Sequence, residues 1–132
     1  MASVIYPKAK ESFLSANPTI DLDTDTIKAA MVDTGTYTYS AAHQYYSSVS
    51  GVVGTPATLA SKTVTNGVFD AADVTYSAVT GNSVEAIIIY KDTGSAATSP
   101  LIAYIDSGTG LPVVPNGGDI TIAWNASGIF SL

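Results

Sequence analysis

The 132 residues include no cysteine and no arginine, and only 12% of them are charged. Without Cys the chain has neither a disulfide framework nor a thiolate metal site, so packing or assembly must stabilise it. Without Arg it lacks the planar cation that suits phosphates and base edges. The five Lys are scattered and face eleven acidic residues, for a net charge of −6, which excludes nucleic acid as a partner class. Long hydrophobic runs are missing too. The most apolar stretch, Ala86 to Tyr90, is far shorter than the roughly 20 residues of a membrane helix, so no membrane partner is expected. The opening text Met1-Ala2-Ser3-Val4-Ile5-Tyr6-Pro7 has neither the basic start nor the apolar run of a signal peptide. The expectation is a soluble protein that is not secreted by that route.

What the chain does have is 46% apolar residues, frequent Gly, Pro and Asn, and eight Tyr. That composition suits a folded domain with a Ser, Thr and Asn surface, and the length suits one core. We therefore expect a single domain over 1–132. Pro7 to Ala16 reads as a short helix, with Pro in the first turn and Asn17-Pro18 ending it. Ser40 to Tyr46, with Ser40 as N-cap, reads as one or two further helical turns.

The rest reads as strands: Thr26–Asp33; Thr58–Val64 turning at Asn66-Gly67 into Val68–Asp70; Val74–Val79; Val84–Tyr90; Leu101–Asp106; and Asp119–Asn125. Val84–Tyr90 is apolar but for Glu85 and does not alternate, as a strand covered on both faces should read, and it should pair with Leu101–Asp106. Ile120, Ile122 and Trp124 share one face. The expected fold class is all-β, mainly an antiparallel sandwich or jelly-roll-like barrel, with one or two short helices in the N-terminal half. Residues 1–6 could be an extended arm, with Val4, Ile5 and Tyr6 free to add as a strand to a neighbour's sheet.

Candidate chemistry is thin. His43, the only His, has no acid within its segment, and a base without a nucleophile and an orienting group is not a triad. Asp21, Asp23 and Asp25 are spaced like the first ligands of a calcium loop. Thr26 stands where that loop needs Gly and Val32 where it needs Glu, so these Asp read instead as the solvated face of an edge strand. No catalytic residue, cofactor or metal site is expected, and the chain reads as no enzyme. Tyr37, Tyr39, Tyr45 and Tyr46 fall within ten residues, a density that fits either an interface or the core.

Three blocks carry a likeness to known proteins: Ile20–Asp33, Ala86–Gly94 and Leu101–Asp106, with the Gly-Leu-Pro-Val and Gly-Gly-Asp-Ile-Thr-Ile text of residues 110–122. In this order they resemble small virion structural proteins of tailed bacteriophages, most of all capsid decoration, or cement, proteins. The resemblance implies a protein on the capsid exterior, with the major capsid protein and copies of itself as partners and a homo-oligomer on the particle. Tail-associated or fibre-tip host-binding modules are the other position it allows. The family pattern brings no catalytic residue. Val4, Ile5, Tyr6, Tyr37, Tyr39, Tyr45 and Tyr46 are the candidate protein interface.

Overall fold

A computed structural model describes residues 3–15, 20–106 and 110–131. In chain order its elements are β1 (Val4–Ile5), α1 (Pro7–Leu14), β2 (Ile27–Val32), β3 (Val52–Thr58), β4 (Thr63–Thr65), β5 (Val68–Asp70), β6 (Val74–Tyr76), β7 (Ala86–Lys91), β8 (Leu101–Ile105), β9 (Ile120–Ile122) and β10 (Phe130–Ser131), with a 3-10 turn at Tyr46–Ser48. The chain is an all-β protein with a short N-terminal helix. β1-β8-β7-β2-β3 form one antiparallel sheet, and β10-β5-β4 and β6-β9 form two smaller ones. The sheets stay open rather than closing on themselves, so the form is a sandwich and not a barrel.

The three blocks of the resemblance fall on β2, β7 and β8, the inner strands of the main sheet. As expected, β7 and β8 are antiparallel neighbours and the apolar run is buried on both faces, with Ile87, Ile88 and Ile89 all fully enclosed. Register sets Val4, Tyr104, Ile88 and Ala30 in one row, and Ile5, Ala103, Ile89 and Ala29 in the next. Because side chains alternate along a strand, these rows lie on opposite faces of the sheet. The first face carries Tyr6, Tyr90 and Tyr104, and residues 37–46 close over it. The second is aliphatic, with Ile27, Met31, Ile87 and Ile105. Here the Tyr76 hydroxyl of β6 donates to the Ala29 carbonyl at 2.8 Å, next to a break in register between β2 and β3.

The Asn66-Gly67 hairpin joins β4 to β5 as expected; both residues hold positive φ, 52° and 78°, as a primed turn requires. Its first strand is shorter than Thr58–Val64. Thr58 closes β3, and Ser61 turns the chain at φ 53° before β4 begins. β3 itself was hidden by Gly54 and Pro56, which punctuate a sequence but are tolerated on the edge strand it forms. Ile120, Ile122 and Trp124 face inward together; the indole N–H donates to the Ala72 carbonyl at 3.1 Å. At Gly128, φ is 109° and a Cβ would collide with the Val68 side chain.

Three expectations are corrected. Residues 3–6 are no free arm: Val4 and Ile5 pair with Tyr104 and Ala103 of the same chain, and Tyr6 is fully buried. The strand addition imagined for a neighbour is made in cis, because Ile5 and Tyr6 bury their apolar area there at once. Residues 40–46 form no α-helix, and only Tyr46 enters the 3-10 turn that follows. Ser40 closes a turn on Ala42 and His43, and Gln44 and Tyr45 pair with the start of β8, so tertiary backbone bonds override a weak helix preference. Asp21, Asp23 and Asp25 lie in a turn rather than on an edge strand. The Asp25 carboxylate accepts from the Asp21 N–H at 2.7 Å and from Lys91 at 3.1 Å.

Candidate functional site

Residues 33–50 leave β2 and return to β3 without regular strand, yet they act as a layer because their rings pack on the sheet. Tyr39 meets Tyr6 and Tyr104 at centroid distances of 5.1 and 5.6 Å, in tilted arrangements that suit aromatic quadrupoles. Tyr46 stacks on Tyr90 at 4.0 Å. The buried hydroxyls find partners in one another: Tyr6 Oη is 2.6 Å from Tyr37 Oη, which is 2.8 Å from His43 Nδ1. Burial, and then the hydrogen bond to Tyr37, push the Tyr6 phenol well above its ordinary range, and burial raises Tyr37, Tyr76 and Tyr90 as well.

Of the seven interface candidates, Tyr6 and Tyr37 are core, at 0% and 2% exposure. Val4 and Ile5 belong to the sheet, and Tyr39 and Tyr46 are half-buried beneath the loop. Tyr45 alone presents an open ring. Glu85 and Asp106, which flank β7 and β8, serve separate bonds: Glu85 accepts from Thr34, and Asp106 from Ser3. Asp21 and Asp23 share a hydrogen bond that lowers the first carboxyl and raises the second. Asp92, receiving the Gly94 N–H and Lys28, is held below the usual carboxylate range.

Two clefts among the described residues are large enough to take a ligand. One, of about 630 Å³, lies between β1 and β10, over Ile5, Ile105 and Phe130. The other, of about 300 Å³, lies between α1 and the edge where residues 44–45 meet the start of β8. Lys8 and Glu11 line it from the helix, Gln44 and Tyr45 from the opposite wall, with Leu101 and Pro100 beneath. Sequence reading reached Tyr45 through the tyrosine cluster and missed the others. Lys8 and Glu11 share a helix face by their spacing, but nothing in the text links residue 8 to residue 44 or 100.

Among the described residues no helix is long and apolar enough to cross a membrane. No protein-family model matches the chain, and no curated protein matches it.

Proposed function

We propose that this protein is a non-enzymatic structural component of a tailed-phage virion that binds the outer surface of the capsid and braces the shell. What carries this reading is the resemblance read from the sequence of residues 20–33, 86–94 and 101–106. Those blocks build the inner strands, so the likeness lies in the scaffold. Two features of the molecule support it. The only His gives Nδ1 to a buried phenol rather than to a nucleophile. The exposed large apolar side chains, Leu14, Tyr45, Val64 and Val114, are set on a surface poor in charge.

Attachment to a shell would then depend on apolar and backbone contacts, which salt does not screen. Many copies on a symmetric lattice would make modest single contacts sufficient. The test is sedimentation of the purified full-length protein with undecorated shells at low and high salt. Co-pelleting at both is expected. If the protein never pellets with shells, the capsid position is lost and a tail or fibre-tip position takes its place.

A further inference from the structure

We infer that the cleft between α1 and residues 44–45 is a binding site for a single neutral sugar ring. Its volume, about 300 Å³, is at the lower end for small-molecule pockets, which run from roughly 300 to 1,000 Å³. Its lining is mixed, apolar at the floor and polar at the walls. The floor is apolar: Leu101 is buried at 1% exposure, with Pro100 beside it. At one wall stands Tyr45, the one exposed aromatic side chain among the described residues. A sugar ring has the matching form, with a C–H face that lies against an aromatic or aliphatic surface and a rim of hydroxyls that need partners.

Polar groups are available for that rim. The Gln44 carboxamide offers two donors and an acceptor, the Tyr45 hydroxyl one donor and an acceptor. Neither side chain makes a hydrogen bond within the protein among the described residues, so their capacity is unspent. Charge does not favour an ion. Lys8 is paired with Glu11 at 3.2 Å, which leaves the lining neutral, and the chain has no Arg with which to fork an anion.

The wall is also pre-organised. Leu101 N–H donates to the Gln44 carbonyl and Tyr46 N–H to the Ser99 carbonyl, each at 2.8 Å, and Tyr45 bridges Pro100. These bonds hold residues 44–46 against the rigid start of β8, so little ordering cost falls on ligand binding. The short stretch that could have been a helix is spent on placing two side chains at the cleft instead. This site does not depend on where the protein sits in a particle, and its failure would leave the structural role untouched.

The test is saturation-transfer NMR followed by titration with the methyl glycosides of glucose, galactose, mannose and N-acetylglucosamine, with sulfate as the ionic control. At least one glycoside should bind with a dissociation constant of about 1 to 10 mM, the range expected of a single shallow subsite. Tyr45→Ala should weaken it at least about tenfold, a loss of roughly 1.4 kcal/mol, and Gln44→Ala by several-fold, while Tyr45→Phe keeps most of the affinity. Unchanged melting temperatures would show that the variants are folded. No binding by any glycoside at about 20 mM, affinity indifferent to Tyr45→Ala, or sulfate binding more tightly than every sugar would each overturn the proposal.

Discussion

The two faces of the main sheet are buried equally well and by opposite means. On the aliphatic face Ile27, Met31 and Ile89 are fully buried, and regular structure reaches it where Tyr76 of β6 caps the Ala29 carbonyl. The tyrosine face is closed by a loop. A loop carries backbone and side-chain polar groups that burial would leave unpaired, and it succeeds as a layer here because phenols bring apolar area together with a hydroxyl that can be satisfied locally. The run from Tyr6 through Tyr37 to His43 is that satisfaction. The difference teaches that a polar-tipped aromatic can stand in for a second sheet, at the cost of making the face sensitive to any change that breaks the hydroxyl chain.

The tyrosine face is the more vulnerable to attack from the N-terminus, because β1 delivers Tyr6 to it. Deleting residues 1–6 removes two buried side chains and an edge strand, and should cost about 5 kcal/mol or more, a large part of a domain's usual stability. Far-UV circular dichroism with urea unfolding would check this. Retention of full stability would return these residues to the status of a free arm.

Alkali should strain both faces next, since each holds a buried phenol. Burial raises the Tyr6, Tyr76 and Tyr90 phenols, so the folded state favours their neutral, protonated form. The stability this represents is fully present below the ordinary phenol range, near pH 10, and is lost as pH rises above it. Phenolate absorbance of these buried tyrosines should therefore appear together with unfolding. Ionisation of Tyr6, Tyr76 and Tyr90 near the ordinary phenol range with the fold intact would show that these rings are not sealed.

On the aliphatic face Ile89→Ala should cost about 2 to 5 kcal/mol through lost burial and a cavity, and Ile88→Ala, one residue over and pointing to the tyrosine face, a similar amount. Chemical denaturation that found one of the two near neutral would mean that its face is loosely packed. Tyr37→Phe keeps the ring and removes only the middle hydroxyl, leaving Tyr6 without its partner, and about 1 to 3 kcal/mol is expected. A double-mutant cycle with Tyr6→Phe would read the coupling directly. The smallest effect belongs to Tyr45→Ala, within about 0.5 kcal/mol, because this ring covers neither face. A larger loss of melting stability would place Tyr45 in the cover and not at a binding cleft.

Much of the framework could be read from local pattern. Period-two alternation in Asp119–Asn125, the apolar run within Val84–Tyr90, the Asn-Gly turn and the Pro-led helix are short-range signals, each dictated by residues within a few positions. Each element forms there, though the last strand keeps only Ile120–Ile122 and the helix ends at Leu14, with residue 16 outside the described residues. β3 was not legible, because a strand carrying Gly54 and Pro56 is acceptable only at an edge, and edges are defined by which strands pair. Of the sugar cleft, Tyr45 was within reach of a sequence reading. Gln44, Lys8 and Leu101 were not, since they approach from three separated segments.

The fate of the tyrosines marks the same boundary. A Tyr has equal standing in a core and at an interface, so spacing could not sort Tyr37, now at 2% exposure, from Tyr45 at 37%. From the sequence alone came an all-β chain with no Cys, no Arg and a buried central strand, because composition and side-chain period are local properties. Tertiary structure alone decided that β1 pairs with β8 across about a hundred residues, that residues 37–46 form a lid of rings, and that one tyrosine stays outside. Those outcomes depend on which distant backbone and hydroxyl groups find one another once the apolar strands have collapsed, and no run of neighbouring residues records that.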